Sequence, residues 1–67
     1  MRWNNVQEIA QALEDSYGDQ EIENLRQARL HKWIVQLLDF DDDPGKFNER
    51  LLENIQNEWQ KIREENE

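Results

Sequence analysis

Apolar side chains recur at helical spacing in three stretches of the chain, with polar side chains between them. The first stretch follows Asn4 and Asn5, either of which can cap a helix, and it ends at Gly18. We therefore place helix 1 at about residues 5–17. Trp3 lies just outside this helix and is expected to fold back onto its apolar face. That face consists of Val6, Ile9, Ala10, Leu13 and Tyr17.

The second stretch, residues 19–40, allows two interpretations. One helix from about residue 20 to 39, with Asp19 as its cap, fits the apolar pattern. The pattern equally fits a short turn of helix, a bend near Arg26–Ala28 and then a second helix from about residue 28. Periodicity alone does not choose between them, although the lack of period-two alternation argues against a strand. The apolar positions are Ile22, Leu25, Arg29 or Leu30, Trp33, Ile34, Leu37 and Leu38.

The third stretch predicts one long helix. Asp43-Pro44 is a suitable start, because aspartate caps free N–H groups and proline fits the first helical position. Asn48 is a second candidate cap. The polar tail, residues 63–67, is expected to fray, because acidic side chains at a helix C-terminus oppose the helix dipole. The apolar positions are Phe47, Leu51, Leu52, Ile55, Trp59 and Ile62.

Together these faces predict an all-α fold: a single small three-helix domain over residues 1–67. Trp3, Trp33 and Trp59 are interpreted as core or core-edge residues, with the last two substantially buried. The chain has no cysteine, so neither disulfides nor thiolate metal sites are expected. Because no apolar run approaches the roughly 18 residues of a membrane span, and no signal-peptide core is present, we expect a cytoplasmic protein.

The net charge of −8 is unevenly distributed, with −2 on residues 1–38 and −6 on residues 39–67. Such a charge argues against binding to nucleic acid or to an anionic membrane. It favours a basic protein surface, a cation, or both as partner. Solubility alone is the simpler explanation, because small domains often carry this much charge.

Most of the unusual chemistry lies in Asp39-Phe40-Asp41-Asp42-Asp43-Pro44, which we call the acidic segment. Its alternating aspartates resemble the start of an EF-hand loop. The loop pattern then fails, because the sixth position is Pro44 instead of glycine and the twelfth is Arg50 instead of glutamate. An EF-hand is therefore excluded.

Two interpretations of these carboxylates remain. In the first, Asp41, Asp42 and Asp43 with Glu49 offer hard oxygen ligands to a divalent cation. In the second, Asp39 and Asp43 only cap or terminate helices, while Asp41 and Asp42 are solvated. Composition alone favours the second, because short acidic turns are common.

Nothing in the sequence indicates catalysis. His31 borders an apolar stripe, and no serine, cysteine or acid is spaced to form a nucleophilic group with it. Ser16 is the only serine, and the two glycines, Gly18 and Gly45, form no phosphate-binding loop. We therefore expect a protein that is not an enzyme.

The order and spacing of motifs over nearly the whole chain carry a family resemblance. The most specific part is a Leu-His-x-Trp motif followed by the acidic segment. The pattern resembles the IscX family, small acidic proteins of bacterial iron–sulfur cluster assembly. The residues that carry it are Trp3, Ile9-Ala10, Leu13, Tyr17, Leu30-His31-Lys32-Trp33, Asp39 to Pro44, Asn48-Glu49, Leu52-Glu53, Ile55 and Trp59.

The resemblance implies a small helical fold related to winged helices, without a DNA-binding role. We expect a monomer. It implies an adaptor or regulator that binds the cysteine desulfurase IscS and binds Fe²⁺ weakly through surface carboxylates, with iron donation as a further role. The implied metal residues are Asp39, Asp41, Asp42, Asp43 and Glu49, and the last four are also the implied partner-binding residues.

The chain departs from the family pattern in two places. Gln27-Ala28-Arg29 replaces a Phe-Thr-Asp run whose threonine would cap the second helix, and Phe47 replaces a common serine.

A different class of function also stays open: a generic acidic helical module that inhibits a partner or mimics nucleic acid, with no metal. Clustering of acidic side chains at residues 39–43 favours the adaptor, whereas an even spread over the surface would favour the generic module.

Overall fold

Three α-helices form the protein in a computed structural model that describes residues 1–46 and 48–65. The part of the chain so described contains no strand, which confirms the all-α prediction. None of its helices is long and apolar enough to cross a membrane. The elements are α1 (Val6–Tyr17), α2 (Gln27–Val35), a 3-10 turn (Pro44–Lys46) and α3 (Glu49–Glu65).

The core lies mainly between α1 and α3, and α2 contacts both helices. All three apolar faces predicted from the sequence contribute to it. Burial of these side chains is the main favourable term in folding, at about 25 cal/mol per Å² of apolar surface. The buried residues are Trp3, Ile9, Ala10, Leu13, Ile22, Leu30, Ile34, Leu37, Leu52, Ile55 and Trp59.

The three tryptophans are buried to different degrees. Trp59 is completely buried and Trp3 is nearly so. Trp33 is only half-buried, and its ring stacks on Tyr17 with centroids 4.5 Å apart. The edge of Trp33 also packs against Trp59, at 6.1 Å. The expected core or core-edge positions are thus confirmed, because Trp3 and Trp59 are core residues and Trp33 lies at the core edge, less buried than expected.

Helix α1 has about the predicted bounds, but its N-terminus lacks the side-chain cap that the sequence predicts. Asn5 is the N-cap residue, but its side chain makes no cap bond and accepts from the backbone N–H of Arg2 at 2.9 Å. Gly18 follows the helix in a right-handed conformation, with φ of −62°. A Cβ atom at Gly18 would lie 2.7 Å from the carbonyl oxygen of Glu14, so close backbone approach explains the glycine.

The region of residues 19–40 contains a bend and then one helix, as the second interpretation expected. Helix α2 begins at Gln27, after Arg26 in an extended conformation. Ile22 precedes the bend and is buried in the core. The side-chain amide of Gln56 in α3 donates to the Ile22 carbonyl at 2.9 Å. The same carbonyl also accepts from the backbone N–H of Leu25 at 3.0 Å, so the bend is held both by a local turn and by α3.

Helix α3 begins later than the Asp43-Pro44 start that the sequence suggested. Asn48 caps it, because its Oδ1 accepts from the backbone N–H of Leu51 at 2.8 Å. Asp43 instead accepts from the backbone N–H of Gly45 at 2.9 Å, at the start of the 3-10 turn. Phe47, predicted on the apolar stripe of this helix, lies outside the described residues.

The predicted fraying is wrong for residues 63–65, because α3 continues to Glu65. Arg63 holds this end: its guanidinium contacts Oε1 of Glu14 at 3.0 and 3.1 Å and donates to the Tyr17 and Gln20 carbonyls. The same Glu14 oxygen accepts from Nε1 of Trp59 at 3.1 Å. Asn66 and Glu67, the rest of the predicted tail, lie outside the described residues.

Candidate functional site

The N-terminal residues run alongside the acidic segment and hold its backbone. The amino group of Met1 donates to the Asp39 carbonyl, and the backbone N–H of Asp41 donates to the Met1 carbonyl at 3.0 Å. The amino group also forms an ion pair with Asp41, at 3.2 Å from its Oδ1. Backbone groups in an irregular segment need such partners, and here the partners are about 40 residues away in sequence.

Two aromatic side chains fix the other end of the segment. Nε1 of Trp3 donates to the Asp43 carbonyl at 2.7 Å, and Nε2 of His31 bonds the Pro44 carbonyl at 2.7 Å. Because a carbonyl oxygen only accepts, Nε2 of His31 carries the proton. The two rings stack with centroids 5.5 Å apart. Phe40 packs its edge on Trp3 at 4.8 Å, so the segment is anchored from within as well.

Asp42 is a structural part of this arrangement, contrary to the expectation that it is solvated. It is half-buried, and its two oxygens accept from backbone N–H groups of Asp43 at 2.8 Å and Trp3 at 3.2 Å. These two hydrogen bonds, the Asp43 bond first, hold the pKa of the Asp42 carboxyl below its usual value, because they favour the charged form.

The other predicted site carboxylates lie on the surface. Asp39, Asp41 and Asp43 are exposed on the acidic segment, and Glu49 is exposed at the first residue of α3. Within residues 1–46 and 48–65, no three histidine or acidic side chains lie close enough together to form a metal centre. The fold therefore presents the aspartates along the acidic segment and Glu49 on α3, without gathering these carboxylates around one point, and the iron site stays a prediction.

Sequence reasoning missed the residues that hold the acidic segment. Trp3 was expected to fold back onto helix 1 as a core or core-edge residue, and it is buried in the core. His31 was placed at the border of an apolar stripe. The sequence did not indicate that both side chains also donate to carbonyls of the acidic segment. The available signal was chemical: the acidic segment is irregular, so its backbone groups needed donors, and indole and imidazole N–H groups are suitable ones.

Comparison with known proteins shows which family this chain belongs to. A family model described as iron-sulphur cluster assembly matches residues 1–64, which include the N-terminal residues, His31 and the whole acidic segment. The chain belongs to this family. The resemblance to IscX proteins is thereby confirmed. The IscX-family chain is also 36% identical over 59 residues to an uncharacterized protein of Pseudomonas aeruginosa, covering 88% of this chain and 89% of that relative.

Family membership connects the anchored acidic segment to a cellular process. Iron–sulphur cluster assembly is the process that the matched family serves. The IscX-family match covers both partners of each long-range hydrogen bond at the site, the N-terminal residues as well as the acidic segment. The anchored acidic segment is therefore the candidate functional site of this chain.

Proposed function

We propose that this chain is a cytoplasmic adaptor of iron–sulphur cluster assembly that binds the cysteine desulfurase IscS and holds Fe²⁺ weakly. One observation carries the proposal: a row of exposed carboxylates is anchored on a rigid framework of Trp3 and His31. Anchoring matters because a preorganised surface loses less conformational entropy when it binds. Family membership supports the process, and the protein's role in it is binding rather than catalysis.

The partner surface is a basic one. Six of the eight net negative charges lie in residues 39–67, so a positively charged groove attracts and orients this half of the molecule. Electrostatic attraction of this kind acts mainly on the association rate and on specificity. The contact face includes Asp41, Asp42, Asp43 and Glu49, while the apolar core contributes little directly.

The binding test uses variants that neutralise exposed carboxylates and keep the hydrogen bonds of Trp3 and His31. Asp41→Asn with Glu49→Gln removes two exposed charges, whereas changing Asp42 would also disturb the anchoring of Trp3. Glu64→Gln is the matched control, because Glu64 is an exposed acid at the opposite end of α3. Association with the desulfurase of the same organism is measured by biolayer interferometry at several salt concentrations.

We expect the double variant to associate several-fold more slowly at low salt, and the difference to shrink as salt screens exposed charges beyond about 8 Å. Glu64→Gln should associate like the wild type. An association rate insensitive to both salt and the double variant would contradict electrostatic recognition. Absence of any complex would instead favour the generic acidic module.

Iron is cargo in this proposal, and the carboxylates suit only weak binding. Asp42 uses both of its carboxylate oxygens in contacts inside the protein, and Asp41 and Asp43 use one each, so few oxygens remain for one ion. Carboxylates also select poorly among hard divalent ions, so Mg²⁺ and Mn²⁺ should compete with Fe²⁺. The expected binding is reversible and centred on residues 39–43.

Paramagnetic line broadening tests the iron site. Anaerobic addition of Fe²⁺, or of Mn²⁺ as a probe, should broaden amide signals of the acidic segment and of residues 1–3 beside it. Asp39→Asn with Asp41→Asn should remove most of this broadening and keep the fold, because both side chains are exposed and the ion pair of Asp41 with the Met1 amino group is a surface pair of small energy. Unchanged broadening in the double variant would place the ion elsewhere.

A further inference from the structure

Leu38 is the large hydrophobic side chain that the described part of the chain leaves fully exposed, at 101% of its reference area. It directly precedes the acidic segment. A single exposed leucine is common on protein surfaces and needs no explanation by itself. The position of Leu38 in the fold is the reason to assign it a role.

The leucine stands at the tip of a hydrogen-bonded turn whose two ends are fixed. The backbone N–H of Phe40 donates to the Leu37 carbonyl at 3.1 Å, which makes Leu38 and Asp39 the central residues of a four-residue turn. Leu37 is buried in the core, and Phe40 packs on Trp3. The turn therefore projects Leu38 from a rigid base.

Exposed carboxylates accompany this apolar side chain. Asp39 shares the turn tip, and Asp41, whose side chain is 69% exposed, follows two residues later. An apolar contact surrounded by charged groups is the usual composition of a protein interface, with a few desolvated anchors providing most of the affinity. Charged groups at the rim contribute more to association rate and specificity.

We propose that Leu38 is an apolar anchor that enters a pocket on a basic protein surface, where Lys or Arg side chains line the pocket. Such residues contact an apolar group with their aliphatic stems while their charged ends reach neighbouring carboxylates, here Asp39 and Asp41. The inference rests on the proposed function, because it assigns the anchor to the same basic partner.

Charge complementarity favours a basic protein surface as the partner of Leu38 over a second copy of the chain or an anionic membrane. A second copy of the chain, also with a net charge of −8, would bring its own Asp39 and Asp41 against the same carboxylates. An anionic membrane would repel them as well. A basic protein surface satisfies both the apolar and the acidic parts of the turn.

The test compares Leu38→Ser with Leu38→Met, which keeps an apolar side chain, in binding to the desulfurase at about 0.05 M and about 0.5 M salt. Leu38→Ser should raise the dissociation rate at least about tenfold, as expected for a fully buried leucine, and should leave the association rate within about twofold. The rise should persist at high salt, and Leu38→Met should behave like the wild type. Thermal unfolding of both variants should match the wild type, since Leu38 is exposed.

The outcomes separate the two proposals. If Leu38→Ser dissociates from the desulfurase at the wild-type rate, Leu38 is not an anchor. That result would not contradict the proposed adaptor function. No complex with the wild-type chain overturns the adaptor and the anchor together. Concentration-dependent self-association that Leu38→Ser abolishes, measured by sedimentation, assigns the leucine to a second copy and also overturns the anchor.

Discussion

Trp3 and His31 stack their rings and donate hydrogen bonds to the carbonyl oxygens of two consecutive residues, Asp43 and Pro44. One ring comes from the N-terminal residues and the other from α2. Together they turn an irregular segment rich in like charges into a fixed surface.

Trp3→Phe should loosen the acidic segment, because phenylalanine keeps an aromatic ring but lacks the Nε1 donor to Asp43. We expect a loss of about 1–2 kcal/mol in the free energy of unfolding, measured by circular dichroism during thermal unfolding. Hydrogen exchange of the Asp41 amide should accelerate. Trp33→Phe is the control: it changes a half-buried indole away from this segment and should leave that amide unaffected.

Asp42 should make stability depend on acid pH. Its pKa is lowered in the folded protein, so its contribution is fully present above the unfolded pKa of about 3.9 and disappears as pH falls through the lower folded value. Urea unfolding of the wild type and of Asp42→Asn should therefore differ at neutral pH and converge in strong acid. A difference that is the same at every pH would contradict this role.

Removing the charge of Glu14 should destabilise the protein, because its Oε1 accepts from Trp59 and Arg63 in a mostly buried position. Glu14→Gln should cost about 1.5–3 kcal/mol, as for other hydrogen bonds to charged groups. Chemical denaturation measures the loss, and Arg63→Gln completes a double-mutant cycle that should show coupling. Glu64→Gln, an exposed change of the same kind on α3, should stay within about 0.5 kcal/mol.

The same substitution at the N-cap asparagine of α3 and at an asparagine inside this helix should have opposite effects. Asn48→Ala removes the helix cap on Leu51 and should cost about 1 kcal/mol. Asn57→Ala, at an exposed position inside the helix, should stabilise slightly, because alanine has the higher helix propensity. Thermal unfolding of both variants distinguishes the cap at Asn48 from the earlier start at Asp43-Pro44, for which both changes would stabilise.

The parts of this fold that were predictable from sequence depend on local periodicity. The apolar stripes predicted α1, the face of α3 and the burial of Trp59, because the spacing of side chains on a helix is a property of the helix alone. Asn48 was recognised as a candidate cap because the preference for asparagine at an N-cap is also a local property. Gln56 shows the limit: its bond to the Ile22 carbonyl stabilises the bend before α2, and such a tertiary contact leaves no periodic signal.

The candidate site also has features that the sequence predicts and features that depend on tertiary contacts. The acidic segment is visible in the sequence as four carboxylates in five residues. The half-burial of Asp42 was not predictable, because it arises from Trp3, a residue 39 positions earlier in the chain. Arg63 was assigned to a fraying tail for a similar reason, since its partner Glu14 belongs to another helix.

The position of Arg63 has a consequence for the order in which this protein acquires structure during synthesis. Helix α1 has no basic residue in its own last turn, and the guanidinium that bonds the Tyr17 carbonyl comes 46 residues later. A helix of 12 residues is marginal in isolation. While the ribosome is still translating the middle of the message, the nascent chain therefore lacks both the cap and the packing partner of its first helix. We expect native structure to form only after residue 63 has left the ribosome, in a single step that involves both ends of the domain.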